Sequence, residues 1–161
     1  MQKILLNGEW TMSGGGFFCR GTIPGSVYSF LLQNGLMEDP YFGMNEIEAE
    51  KLLENDYTFS RSFTYEKDAA PVSIVFACLD TLCDVTLNGK PILSADNMHR
   101  TYTVDITDGI QDGENNIQLL FPSPIQFMEA ADKKEHIPSC TDPSAGFSYL
   151  RKAHCMMGWD W

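Results

Sequence analysis

Tyr57-Thr58-Phe59-Ser60-Arg61-Ser62-Phe63-Thr64-Tyr65 alternates large and small side chains along its whole length. Tyr57, Phe59, Phe63 and Tyr65 fall on one side and Thr58, Ser60, Ser62 and Thr64 on the other. A period of two marks a strand with one buried face. Arg61 interrupts the aromatic face, so this strand carries either a bulge or a functional arginine.

The stretches that follow repeat the theme. Val72-Ser73-Ile74-Val75-Phe76-Ala77-Cys78 is more continuously apolar, as expected of a central sandwich strand. Val85-Thr86-Leu87 and Lys90-Pro91-Ile92-Leu93 flank Asn88-Gly89, a hairpin turn signal. Pro91 cannot donate to a ladder, which makes the second arm an edge. Thr101 to Ile106 and Asn116 to Phe121 read as two further strands, with Asp112-Gly113-Glu114-Asn115 turning between them. Many short strands separated by turn signals predict an all-β sandwich.

On the amino-terminal side, residues 1–56 mix turns with two short helical patterns. Ser26 to Gly35 starts after Pro24-Gly25 and stops on glycine. Asn45 to about Asn55 begins on a potential cap, with Glu48 at capping-box spacing. Gly14-Gly15-Gly16 reads as a flexible turn. On the carboxy-terminal side, Pro122, Pro124, Pro138 and Pro143 break any long element. Residues 122–147 read as loop, with one helical turn near Ile125–Ala131, and are expected to be the most mobile part. Phe147 to Lys152 reads as a last strand. The division expected is a sandwich core over 1–121 and a loop-rich segment over 122–161 that returns to it.

The chain of 161 residues has 43% apolar content and a formal charge of −11. That is enough for one globular domain. Seven acidic residues (Glu38, Asp39, Glu46, Glu48, Glu50, Glu54, Asp56) share one stretch with Lys51 alone. This balance argues against nucleic acid and anionic membranes, which call for Lys/Arg patches. The five cysteines are odd in number and irregular in spacing, so free thiols are expected rather than a disulfide framework. Three consecutive apolar residues near the start do not make a signal peptide, and the expectation is a cytoplasmic chain.

No P-loop, GxGxxG, HExxH or GxSxG motif occurs. His99, His136 and His154 lie far apart with no ligand spacing, so no metal or other cofactor is expected. The chain ends on Gly158-Trp159-Asp160-Trp161. Flat apolar indoles suit the C–H face of a sugar, and a carboxylate accepts its hydroxyl protons. Chain ends are usually loose and polar, so these residues are either tucked into a core or part of something larger.

Several unusual blocks precede this ending along the chain: Leu6-Asn7-Gly8-Glu9-Trp10, Ile23-Pro24-Gly25-Ser26-Val27-Tyr28, Asp39-Pro40-Tyr41-Phe42-Gly43-Met44-Asn45-Glu46 and Leu79-Asp80-Thr81. Leu87-Asn88-Gly89, Asn97-Met98-His99-Arg100 and Arg151 to Trp161 complete the set. In this order they resemble the amino-terminal domain of the β-mannosidases of glycoside hydrolase family 2. The resemblance implies a jelly-roll sandwich of the galactose-binding-like type, followed in the family by an immunoglobulin-like domain and a TIM barrel with two catalytic glutamates. It implies a piece of an exo-acting, retaining enzyme that removes terminal β-mannose, with no catalytic residue in this chain. Asp160 would contact the sugar, and Trp159 and Trp161 would stack on it or pack at the interface. Arg151 and Lys152 match the motif in structural roles facing the barrel, and Arg100 would hold a loop. Asn45-Glu46 looks like the Asn-Glu pair that carries the acid/base of this enzyme clan. Its place at the start of a short helix makes it a cap or interdomain contact instead. His154-Cys155-Met156-Met157 departs from the family pattern, which often has a histidine or tyrosine and a phenylalanine near the glycine. A β-galactosidase or β-glucuronidase parent, or a stand-alone carbohydrate-binding module, are the competing expectations.

Overall fold

A computed structural model describes residues 3–137 and 147–153. Among the described residues, eight strands run in chain order: β1 (Gly8–Gly14), β2 (Phe17–Ile23), β3 (Tyr57–Tyr65), β4 (Ser73–Phe76), β5 (Cys83–Leu87), β6 (Lys90–Ala95), β7 (Tyr102–Asp105) and β8 (Gly113–Phe121). Three helices accompany them: α1 (Val27–Gln33), α2 (Asn45–Leu52) and α3 (Pro124–Lys134). Six strands form one antiparallel sheet in the order β2-β1-β3-β8-β5-β6, and β4 pairs with β7 in a second sheet. Phe76 of the small sheet is buried in one core with Met12, Phe59, Val85 and Ile117 of the large sheet. Ile74, Tyr102 and Val104 pack against that core half-buried. The result is a β-sandwich, as the strand pattern implied, of the jelly-roll type that the family resemblance implied.

The deciding stretch is β3, which pairs with β8 from Tyr57↔Phe121 to Tyr65↔Gly113 without a bulge. Its odd-numbered residues face inward, Arg61 among them. The Arg61 Nη1 donates to the carbonyls of Leu6 at 2.9 Å and Asn7 at 2.7 Å. Trp10 Nε1 donates to the same Leu6 carbonyl at 2.7 Å. Arg61 therefore fastens the amino-terminal segment across the end of the sheet. The interruption in the aromatic face is a structural anchor.

The Asn88-Gly89 turn is as the sequence implied. Both residues have positive φ, at 52° and 76°, matching the twist of a two-residue hairpin. The β6 arm with Pro91 is the edge strand, and a register shift lies between Val85 and Thr86. Ser26 caps α1 in a reciprocal capping box with Ser29. Phe30 of α1 lies flat on Gly21 of β2, where a Cβ would stand 2.6 Å from the ring. Phe30 also meets Phe59 edge-on at 5.0 Å. Tyr28 ties α1 to α2 through a 2.8 Å bond from its hydroxyl to the Ala49 carbonyl. Burial, with Glu50 and Tyr57 adding to it, pushes this phenol up to about 12.

Several expectations need correction. β1 and β2 form a full hairpin across Gly14-Gly15-Gly16, where the sequence suggested only turns. β4 is not central: it pairs with β7, and Val75 is exposed. Asn45 does not cap α2, because Met44 holds that position and makes no side-chain cap bond. Asn45 instead donates its side-chain amide to the Asp39 carbonyl at 2.9 Å. Residues 124–134 form a helix of three turns rather than one, capped by Ser123 with proline in its first turn and Lys133 and Lys134 in its last. Phe147–Tyr149 is a 3₁₀ turn, not a strand; only Arg151 makes a bridge, parallel to Asn97. Among the described cysteines, Cys19, Cys78 and Cys83 are free thiols. Burial, helped by Asp84, pushes the Cys83 thiol up to about 12.

Candidate functional site

Strand register defines one rim of the sandwich. Gly14 at the end of β1 lies beside Tyr57 at the start of β3, and Tyr57 beside Phe121 at the end of β8. Asp84 pairs with Leu120, and Cys83 at the start of β5 with Ala95 at the end of β6. The segments entering or leaving these ends must therefore gather here: Leu53–Asp56, Leu79–Thr81, Asp96–Arg100 and the lead into α3.

Polar side chains lock the first of these junctions. Asp56 Oδ1 accepts from the Ser123 N–H at 2.7 Å, and the buried Ser123 hydroxyl donates to the Leu53 carbonyl at 2.7 Å. Gln126 adds a 2.8 Å bond to the Glu54 carbonyl. The start of α3 is thereby fixed to the strand end it leaves.

The chain then returns. Tyr149 places its hydroxyl 2.7 Å from Asp132 Oδ1 and 2.8 Å from the Glu135 carbonyl, while accepting from the Ile137 N–H at 2.8 Å. His136 Nδ1 lies 2.8 Å from the same Asp132 oxygen. The Tyr149 hydroxyl first, and His136 second, hold the exposed Asp132 carboxyl below the usual carboxylate range. Leu150, the next residue, is buried.

Beyond this clasp, the Met98 N–H donates to the Arg151 carbonyl at 3.1 Å. Lys152 Nζ pairs with Asp80 Oδ2, both side chains half-buried. The Thr81 hydroxyl donates to the other Asp80 oxygen, and Thr81 itself is buried. The Ala153 N–H points at the Met98 sulfur. The Asn97 loop is closed by its own amide oxygen, which accepts from the His99 N–H at 2.9 Å, and by the Tyr102 hydroxyl on its carbonyl at 3.2 Å. Arg100 closes this turn with its backbone N–H, on the Asn97 carbonyl at 3.3 Å.

Three blocks singled out in the sequence thus meet at one rim: Leu79-Asp80-Thr81, Asn97-Met98-His99-Arg100 and Arg151-Lys152-Ala153. Asp80 and Lys152 are 72 residues apart, so no local pattern could have paired them. Their opposite charges neutralise each other, which suits fastening rather than proton transfer. Trp159, Asp160 and Trp161, the residues expected to meet sugar, lie outside the described residues, as does His154. Other blocks go elsewhere. Asn88 sits at the opposite end of the β5–β6 hairpin, and Glu46 is exposed in the first turn of α2. Among the described residues, no group of three or more His, Cys, Asp or Glu could hold a metal ion.

Residues 8–161 match the family described as glycosyl hydrolase 2 galactose-binding domain-like. The beta-mannosidase of Bos taurus is 30% identical over 172 residues, covering 99% of this chain and 20% of that protein. A probable beta-mannosidase of Caenorhabditis elegans is 31% identical, covering 98% of this chain and 19% of its own length. The crystal structure of a β-D-mannosidase from Dictyoglomus thermophilum superposes with a TM-score of 0.90 at 28% identity, over 100% of this chain and 20% of that one. The chain thus spans about a fifth of the length of these relatives.

Proposed function

The chain belongs to the glycosyl hydrolase 2 galactose-binding domain-like family, and from that premise we propose that it serves a larger retaining β-mannosidase as its non-catalytic first domain. The observation that carries this reading is the convergence of three sequence blocks on one rim, directly before the Trp-Asp-Trp ending. The Asp80–Lys152 pair and the Met98–Arg151 bond fasten the chain there, Lys152 standing eight residues before Asp160. Coverage of nearly the whole chain by beta-mannosidases supports the choice of sugar.

In this role the domain supplies one wall of the sugar pocket. Asp160 accepts hydroxyl protons of the terminal mannose, and Trp159 and Trp161 offer apolar faces to its C–H surface. An epimer with a misplaced hydroxyl would leave the carboxylate unpaired, which is how a single acceptor discriminates sugars. Cleavage itself needs two carboxyls about 5–5.5 Å apart, one nucleophile and one acid/base. Those come from another domain, a barrel following an immunoglobulin-like module.

The test is an assay of the complete gene product on nitrophenyl β-glycosides. Mannoside is expected to be the best substrate, and mannoside as the poorest would overturn the assignment. Asp160→Asn should lower kcat/KM on the mannoside roughly ten- to hundredfold, the range of one charged hydrogen bond. The 161-residue chain alone should show no turnover, and calorimetry with mannose should detect no binding; tight binding would favour an independent carbohydrate-binding module.

A further inference from the structure

The returning segment is gripped at three successive residues. Asn97 and Arg151 form a parallel bridge, and the Met98 N–H donates to the Arg151 carbonyl at 3.1 Å. Lys152 Nζ reaches Asp80 Oδ2. The Ala153 N–H donates to the Met98 sulfur at 2.9 Å. Met98 thus holds the backbone on both sides of Lys152, and Asp80 holds the side chain between.

The Asp80 carboxylate is itself oriented. Its Oδ1 accepts from the hydroxyl of the buried Thr81, which leaves Oδ2 for Lys152. The backbone contacts at 151 and 153 fix where the segment runs, and the ion pair fixes which side it turns to the rim. Arg151, one residue earlier, is exposed.

Stability alone is a poor reason for this pair. Lys152 is 22% and Asp80 26% exposed at the side chain, so both charges give up much of their hydration. Their attraction roughly offsets that loss, and a well-packed apolar pair would often hold as well or better. Neither residue belongs to the hydrophobic core. What the charged contact adds is direction, because its hydrogen bond has a preferred geometry that an apolar contact lacks.

Asp160 stands eight residues beyond Lys152. A carboxylate that must meet particular hydroxyls tolerates little displacement, since a shift of about 1 Å in a site can cost about a hundredfold in rate. We propose that Asp80 and Lys152 are positioning residues for Asp160: their ion pair sets the path on which the segment leaves the rim, and through it the selectivity of the sugar site between epimers. This rests on the reading of Asp160 as a sugar contact.

Steady-state kinetics of the complete gene product on nitrophenyl β-mannoside and its C2 epimer, the β-glucoside, provide the test. Lys152→Met should lower kcat/KM on the mannoside about tenfold, chiefly through KM, and on the glucoside far less. The preference between the two sugars should narrow at least about fivefold. Asp80→Asn, which keeps the partner's shape, should reproduce this, and Lys152→Arg, which keeps the charge, should retain most of the preference. The decisive arm is the Asp160→Asn background. There Lys152→Met should add less than about twofold, because the residue it positions is gone. A merely structural role would lower activity on both sugars equally and add in full to Asp160→Asn; either result would overturn the proposal. The two readings fail separately. An enzyme active on β-mannoside, in which Asp160→Asn narrows the preference but Lys152→Met does not, sinks the positioning role alone. One that prefers another β-glycoside, yet shows the same non-additivity with Asp160, sinks the choice of sugar alone. Inactivity on every β-glycoside sinks both.

Discussion

The two ends of the sandwich are held by different chemistry. At the Asn88-Gly89 end, neutral amides close the structure. Asn115, 1% exposed, accepts from the Asn88 side chain and the Gln111 N–H at 2.8 Å each, and donates to the Gln111 carbonyl at 2.9 Å and the Gly113 carbonyl at 3.1 Å. Asn88 Oδ1 in turn accepts from the Asn116 N–H at 2.9 Å. At the opposite rim, ionised groups nearer to solvent fasten a segment that returns from far along the chain, through Asp80–Lys152 and Asp132–Tyr149. The contrast separates two tasks. A buried, fully satisfied amide network is part of folding itself, since any missing partner leaves a costly orphan. A charged, partly hydrated fastening suits a docked segment, whose release is expected to leave the sandwich intact.

The largest expected effect lies at the amide end. Asn115→Ala removes four bonds at once and strands buried carbonyl and N–H groups. It should cost about 2–4 kcal/mol, a fall in Tm of roughly 5–15 °C for a domain of this size. Differential scanning calorimetry checks this, and a change under 2 °C would erase the distinction between the ends. Lys152→Met, at the other rim, should cost about 1–2 kcal/mol, less than a fully buried pair because both side chains retain some solvent. Its signature should be local: exchange at residues 97–100 and 149–153 should rise about tenfold while residues 109–119 stay protected. If Asp80→Asn adds nothing to Lys152→Met in a double-mutant cycle, the pair is confirmed as the shared contact.

Where local chemistry decides the structure, the sequence could be read. The Asn88-Gly89 turn, the Ser26 cap of α1 and the alternation along β3 are each settled within a few residues. Where pairing partners decide, it could not. The run from Val72 to Cys78 looks central because it is apolar, but its exposure depends on β7 being its neighbour. Asn45 has the right chemistry for a cap, yet it is already the first residue of α2, and its side-chain N–H is held by the Asp39 carbonyl, a placement invisible to spacing rules. The signals for α3 were present, since Ser123-Pro124 is a cap followed by a first-turn proline, but the prolines nearby pointed to loop. The candidate site behaves likewise. Its blocks were recognisable one by one, whereas the Asp80–Lys152 contact that unites them depends on the fold, and Asp160 itself lies outside the described residues.

The smallest effect tests the contrast most directly, because it alters no residue. The Tyr149 hydroxyl and His136 lower the Asp132 carboxyl below its usual range. A group depressed on folding contributes stability above its unfolded pKa, about 3.9 for Asp, and that contribution is lost as pH falls through the folded value. Protonation would remove the charge that Tyr149 and His136 bind, and the clasp over residues 132–149 should loosen. As pH falls below about 4, exchange at residues 147–151, corrected for intrinsic rates, should rise. The Asn88–Asn115 network has no titratable member, so residues 109–116 should change less over the same interval. Tyr149→Phe supplies the control: it removes the main cause of the depression and should flatten the response of the returning segment. An equal response at both ends, or one unaffected by Tyr149→Phe, would mean that the acid sensitivity is global, and that the charged rim is no more separable from the sandwich than the amide end.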